Sequence, residues 1–209
     1  MRQDDVTRIY QRNAAWYDLM HNPMERLAVG RWRSRALEGL TGSMLELGVG
    51  TGANFRHYGR PTRLTAIAPS PRILDRARRR ADRLGVSVGF VQAGAERLPF
   101  ADATFAAVVA TFVFCSIAEP RRGVKEARRV LKPGGALRLL EHQRPPGALL
   151  GRVFDALDPL ARRLTGASIN RETDALVRSA GFPDALSLPL DGIRIVRLIT
   201  ARAREEPGS

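Results

Sequence analysis

Residues 43–58 constrain the fold more than any other stretch of the chain. A short apolar run, Ser43-Met-Leu-Glu-Leu47, passes directly into Gly48-Val-Gly-Thr-Gly52 and then into a helix-compatible segment near Asn54–Tyr58. A strand that ends in a glycine loop and resumes as a helix opens a parallel α/β sheet, because glycine lets the backbone turn sharply and approach a ligand closely. Gly48, Gly50 and Ala53 also satisfy the G-x-G-x-x-A spacing of a dinucleotide loop. Glu46 stands two residues before the first glycine, where a carboxylate can meet a cationic amino-acid tail, and Asn54 lies just beyond the loop.

The rest of the chain continues the alternation. Strands are expected at 63–67, 86–92, 105–114, 136–140, 185–190 and 193–202, and helices at 71–84, 120–131, 147–164 and 171–180. In the helix at 71–84, Ile73, Leu74, Ala77, Ala81 and Leu84 recur at helical spacing. The run from Phe105 to Phe114 is nearly continuous in apolar residues, as in a strand covered on both faces. Pro133-Gly134-Gly135 reads as a tight turn. Two further helices are expected near 3–21 and 23–39, with Pro23 in the first turn of the second. The pattern predicts an α/β fold: a mostly parallel sheet of seven strands with an antiparallel edge strand and helices on both faces. Its 209 residues suit one domain, with residues 1–40 as a helical lid and 41–209 as the core.

Charge and cysteine count narrow the function. The formal charge is +13, yet lysine stands only at 125 and 132, so all but two of the 34 basic residues are arginine, scattered along the chain. This arginine bias is not a localised phosphate-binding patch, and no nucleic-acid partner is expected. An anionic lipid surface is the better match for such a charge. Cys115 is the single cysteine, so neither an intramolecular disulfide nor a multi-cysteine metal site can form. His21, His57 and His142 have no metal-ligand spacing, so no metal is expected. No apolar run is long enough to span a bilayer, and the N-terminus carries Asp4 and Asp5 and shows no apolar signal-type run, so a cytoplasmic location is expected.

Three motifs in order carry a resemblance: Leu45-Glu-Leu-Gly48, Ala95-Glu-Arg-Leu-Pro-Phe100 and Leu131-Lys-Pro-Gly-Gly135. Over roughly residues 10–200 the chain resembles class I S-adenosylmethionine (SAM)-dependent methyltransferases of the small-molecule type. The resemblance implies a Rossmann-like fold, SAM as cofactor and S-adenosylhomocysteine as product. It implies that Gly48, Gly50 and Gly52, with Leu47 and Asn54 beside them, line the methionine part of SAM, and that Glu46 holds its ammonium directly or through water. Ala68 and Pro69 would meet the ribose, Ala95 and Glu96 would flank the adenine, and Thr111 would face the methionine end. Tyr17 resembles an N-terminal tyrosine that closes over SAM in many relatives; plain core packing is its other reading.

One position departs from the family. The second strand ends Ile67-Ala68-Pro69, where relatives carry Asp or Glu at the place of Ala68. That carboxylate normally accepts bonds from both ribose hydroxyls. Hydrogen bonds to charged groups contribute about 1.5–3 kcal/mol, so its loss is expected to weaken SAM binding roughly ten- to a hundredfold, unless neighbours such as Ser70 compensate.

The segment from Thr111 through Glu141-His142, with Asn170-Arg-Glu-Thr173, is similar to membrane-associated alkyl thiol methyltransferases of animals and to bacterial proteins grouped with phospholipid or quinone methyltransferases. The animal proteins have an N-terminal hydrophobic anchor that is not seen here. The resemblance implies a small, lipophilic acceptor methylated at sulfur, nitrogen or oxygen, with phospholipid headgroup N-methylation at a membrane surface, or a non-catalytic or weakened SAM-binding protein, as alternatives. No Pro-Pro-aromatic signature follows the fourth strand and no Pro-Cys pair is present, which argues against nucleobase chemistry. His142 is a candidate general base or a hydrogen-bonded structural residue. Tyr10 and Cys115 are candidates to line the acceptor pocket, Cys115 having buried, inert packing as its other reading. The helix at 153–164 mixes Phe154, Leu157, Leu160 and Leu164 with Arg152, Arg162 and Arg163, so it can pack on the core, cap the pocket or touch a membrane.

Overall fold

The computed structural model describes residues 28–59 and 62–204. The expected helix at 3–21 and the candidates Tyr10 and Tyr17 lie outside these residues, as do the first five residues, 23–27, of the helix expected at 23–39. Helix α1 spans Gly30–Leu37 and leads into β1 (Gly42–Leu47). Then follow β2 (Thr62–Ala68), α2 (Pro71–Leu84), β3 (Val88–Gln92), β4 (Phe105–Thr111), α3 (Pro120–Val130) and β5 (Leu131–His142). The chain ends with α4 (Ala148–Thr165), α5 (Thr173–Ser179), β6 (Leu186–Pro189) and β7 (Val196–Arg202).

The seven strands form one sheet in the order β3-β2-β1-β4-β5-β7-β6. The first five pair in parallel, and β7 runs antiparallel to both β5 and β6. The expected architecture is therefore present, with one refinement. The antiparallel strand is inserted one place in from the edge, and β6 is outermost.

Side chains on the central strands alternate between two apolar layers, as the period of two requires. Leu45 and Leu47 of β1 and Val108 and Ala110 of β4 pack with Val124, Ala127 and Val130 of α3. Met44, Ala107 and Val109 face the other way, toward Leu74, Ala77 and Ala81 of α2. Helix α2 begins with Pro71 after an extended Ser70 and stops at Gly85, whose left-handed backbone (φ 64°) lets its N–H reach the carbonyls of Ala81 and Asp82. Leu84, expected on the apolar face, is exposed beside this cap.

Three elements end differently from what the sequence predicts, each for a local reason. Strand β4 stops at Thr111 because Phe112 adopts φ +57° and turns its N–H to the Leu140 carbonyl at 2.7 Å. The apolar residues after it form a loop. The expected helix near 54–58 is a single 3-10 turn, Phe55–His57, because Tyr58 swings to extended backbone. Pro133-Gly134-Gly135 lies within a long β5, where the pairing with β4 jumps between Phe105 and Ala107 and so absorbs the turn as an irregularity.

Helix α3 also fastens the loop that follows β3. Glu126 accepts the Leu98 N–H at 2.7 Å, and Arg129 donates to the Leu98 and Phe100 carbonyls at 3.0 and 2.8 Å. Arg129 also pairs with Glu126 at 2.8 Å, which holds the Glu126 carboxyl below its ordinary value. One helix-borne ion pair therefore tethers the segment Ala95–Phe100, in addition to the core packing of Ala95, Leu98 and Phe100. Arg129→Ala is expected to destabilise the fold by about 1–3 kcal/mol, the cost of stranding partly buried carbonyls. Urea denaturation checks this, and an unchanged midpoint would show that water replaces the guanidinium without loss.

Candidate functional site

The C-terminal ends of the parallel strands converge on a cavity, as expected for an open α/β sheet. Its wall includes Gly48 and Gly50 after β1, Ala68 and Pro69 after β2, Ala95 and Glu96 after β3, and Phe112 and Val113 after β4. Six of these eight are residues that the family resemblance assigns to one ligand, brought together from three separate loops. Ala68 is buried, and its methyl group offers the cavity no acceptor.

The first glycine is required here on two counts. Gly48 has φ +61°, and a Cβ at this position would stand 2.6 Å from Val113 Cγ1. The loops after β1 and β4 thus approach each other too closely for any side chain. Gly52 is also left-handed and packs against the Phe55 ring. One oxygen of Glu96, Oε1, is buried with no hydrogen-bond partner among the described residues. A buried acceptor without a donor is costly, and at a cavity wall it marks where a ligand donor belongs.

At one end of this region a polar network extends from Glu46, which is buried on the α1 face of β1. Asn54 Nδ2 donates to Glu46 Oε1, and the Tyr58 hydroxyl donates to Oε2, both at 2.9 Å. Asn54 Nδ2 also lies 3.1 Å from Thr111 Oγ1, while Arg33 Nη1 donates to Asn54 Oδ1 at 2.9 Å and to Thr111 Oγ1. The three expected polar residues, Glu46, Asn54 and Thr111, are therefore one cluster. Arg33 and Tyr58 complete it, and no motif in the sequence marked either of them. Leu47, a further candidate, points away into the apolar core.

Beyond Thr111 an aromatic stack begins. The Phe112 ring lies 4.5 Å from the His142 ring at 29°, with the Arg33 guanidinium 5.4 Å from the Phe112 centroid. His142, half-buried, thus lies beside a residue that lines the cavity. On the other face of β5, Glu141 is fully buried and accepts the Val113 and Phe114 N–H groups at 2.8 and 3.0 Å. Arg171 donates to the Ile117 carbonyl at 3.0 Å, and the Ser168 N–H to the Cys115 carbonyl at 2.9 Å. These bonds clamp the loop after β4 from behind. Cys115 faces the clamp: its thiol is 3.6 Å from the Phe112 carbonyl, and burial, then the Glu141 charge, pushes it up to about 12. A thiol so held stays protonated and unreactive at neutral pH.

Burial also pushes two carboxyls up to about 7. For Glu46 the bonds from Tyr58 and Asn54 and the Arg33 charge oppose the rise. For Glu141 the N–H groups of Phe114, Val113 and Cys115 oppose it. Between the ordinary carboxyl value of 4.5 and about 7, the folded chain therefore holds protons that the unfolded chain has released. Stability contributed by these groups falls as pH rises through that window. Glu141→Gln mimics the protonated form, and Glu141 Oε2 has no partner to lose. The thermal midpoint of wild type is expected to drop more between about pH 5.5 and 8 than that of Glu141→Gln. Parallel profiles, followed by circular dichroism, would contradict the assignment.

Comparison with known proteins fits this geometry. A model of the methyltransferase domain matches residues 45–139. A thiol S-methyltransferase of Homo sapiens is 34% identical over 158 residues, 71% of this chain and 65% of that protein, so the chain spans just under two thirds of its length. A ubiquinone/menaquinone biosynthesis C-methyltransferase of Pseudomonas fluorescens is 32% identical over 185 residues, 83% of this chain and 72% of that protein. The structure of a SAM-dependent methyltransferase of Thermotoga maritima, described as a possible histamine N-methyltransferase, superposes with a TM-score of 0.71 at 23% identity. That match covers 95% of this chain and 100% of the other, and it speaks for the fold. With the glycine cradle, the buried Glu46 and the strand order all in agreement, the chain belongs to the class I SAM-dependent methyltransferases of the small-molecule type.

Proposed function

We propose that this protein transfers a methyl group to a small, lipophilic acceptor at a sulfur, nitrogen or oxygen atom, by in-line displacement. The observation that carries the reading is the cavity where the loops after β1, β2, β3 and β4 meet, with Gly48 pressed against Val113 and an unpartnered Glu96 oxygen in its wall. SAM, when bound, supplies an electrophilic methyl group on a sulfonium.

The chain's own residues position and shield. Gly48, Gly50 and Gly52 keep the loop after β1 low enough for close backbone approach, and Leu47 anchors that loop in the core. Glu46 already receives bonds from Asn54 and Tyr58 and orients Asn54, and a cationic tail beside it would favour its ionised form. Thr111 is fixed beside them. Ala95 and Glu96 offer one apolar and one acceptor surface to the adenosine end, with Pro69 opposite. Phe112, Val113 and Ile117 add apolar surface to the cavity wall, Ile117 beside Ala95, which favours a lipophilic acceptor and excludes water. Tyr10 and Tyr17 are proposed to close the site from the N-terminal region, residues 1–40 acting as its lid. The thiol S-methyltransferase activity for which one relative is named agrees with such an acceptor, and the quinone relative, named as a C-methyltransferase, agrees with its lipophilic character but not with the atom proposed. A phospholipid headgroup is the variant of this reading in which the acceptor stays in a bilayer.

Alignment of acceptor and methyl supplies much of the acceleration in such a transfer. A base matters only where the acceptor must lose a proton, and His142 is proposed for that role, held by its stack on Phe112. A second reading, weakened cofactor binding without turnover, has one observation in its favour: the buried methyl of Ala68 where an acid is usual.

Product formation from labelled SAM with a panel of thiols, amines and phenols tests the proposal. Wild type is expected to methylate at least one class. For an acceptor that must be deprotonated, His142→Ala is expected to lower kcat roughly a hundredfold with cofactor affinity unchanged. An undiminished kcat would leave His142 as a packing partner of Phe112. Tight cofactor binding with no turnover on any acceptor would favour the second reading.

A further inference from the structure

Helix α4 is turned inside out. Its buried residues are Gly151 and Asp158, whereas Leu149, Leu150, Val153, Leu157, Leu160 and Leu164 are all exposed, Leu149 at 82% and Leu164 at 59%. At about 3.6 residues per turn these six fall within an arc of about 100°, and Gly151 and Asp158 lie opposite it. From Leu149 to Leu164 the helix presents roughly 23 Å of apolar ridge. Ordinary core packing, one of the readings open from the sequence, does not describe it.

The inward face is polar by construction. Asp158 Oδ1 accepts the Ser168 hydroxyl at 2.9 Å and the Ile169 N–H at 2.8 Å, and Oδ2 pairs with Arg162 at 3.0 Å. Arg144 crosses Gly151, where any Cβ would meet its guanidinium, and pairs with Asp155 at 2.8 Å. Both acidic residues of the helix are thus engaged by basic or donor groups. Arg152 and Arg163 are exposed and lie on the helix about 40–60° beyond one edge of the apolar arc.

We propose that α4 is an interfacial helix that docks the protein on an anionic lipid surface, its apolar arc among the acyl chains and Arg152 and Arg163 at the headgroups. An apolar ridge beside cations on a chain of net charge +13 complements a negatively charged bilayer. A second copy of the chain is a poorer occupant, because a two-fold pairing of this face would set like charges together. No helix among the described residues is long and apolar enough to cross a membrane, so the contact is a surface one. The position has a use. The segment after α4 bonds through Ser168 and Arg171 to the Cys115 and Ile117 carbonyls, in the loop that lines the cavity. A docked α4 would hold that loop next to the bilayer, where a lipophilic acceptor partitions. This use rests on the acceptor reading above; the docking does not.

Co-sedimentation of the full chain with phosphatidylcholine vesicles, with and without phosphatidylglycerol, tests the proposal. Wild type is expected to bind the phosphatidylglycerol vesicles at low salt. The triple variant Val153→Asp, Leu157→Asp, Leu160→Asp is expected to lose about tenfold or more of that binding. The pair Arg152→Ala, Arg163→Ala is expected to lose about tenfold of the preference for anionic vesicles. No binding by wild type, or equal binding by the triple variant, would overturn the proposal. So would a wild-type dimer that the triple variant dissociates without any vesicle binding. Unchanged titration of the triple variant with S-adenosylhomocysteine shows that its fold and cofactor site are intact, so a failure of docking is separable from a failure of the enzymatic reading.

Discussion

Parallel pairing of β1 with β4 is the constraint on which the rest of the structure depends. The register sets Glu46 opposite Val109 and Leu47 opposite Ala110, so both strands end at the same level and on matching faces. Thr111, two residues beyond Val109, then projects on the same face as Glu46, and Asn54 bridges them. A slip of one residue would turn Glu46 into the apolar layer beneath α3 and Leu47 toward Arg33, burying a carboxylate with none of its present donors. The glycine loop is the consequence of this register. The loops leaving β1 and β4 start side by side, and Gly48 is the only kind of residue that fits beneath Val113.

Two buried carboxylates, one on each face of the sheet, then divide the work. Glu46 gathers Asn54 and Tyr58 on the α1 face, at the methionine end expected for the cofactor. Glu141 gathers the N–H groups of Val113 and Phe114 on the α3 face and fixes the cavity wall from behind. Alternation along β5 explains why adjacent residues have different roles: Glu141 points to the clamp and His142 to the aromatic stack with Phe112. Isolated ionised carboxylates would be expensive at such depth, and their raised proton affinity is the measure of that cost.

Most of the sheet was legible in the sequence because buried parallel strands and amphipathic helices leave strong periodicities. The glycine loop, the apolar run at 105–111 and the face of α2 needed nothing more. Side-chain partners carried no such signal. Arg33 and Tyr58 reach the Glu46 cluster from different elements, and neither belongs to a pattern that spacing could reveal. The strand end at Thr111 was hidden because Phe112, Val113 and Phe114 are as apolar as the strand before them; only the left-handed Phe112 shows where the loop begins. Helix α4 is the instructive case. Its apolar periodicity was plain in the sequence, but periodicity locates a face without saying what covers it, and here the buried face is the polar one.

Everything proposed for the chemistry requires SAM to lie in the cradle formed by Gly48, Gly50 and Glu96, with Ala68 in place of the ribose-binding acid. Calorimetric titration of wild type and Ala68→Asp with SAM and S-adenosylhomocysteine is the decisive measurement. Wild type is expected to show one site at micromolar affinity, and the restored carboxylate to tighten binding roughly ten- to a hundredfold. Absence of binding in both proteins would contradict the cradle, and equal affinity in the two would contradict the role given to residue 68.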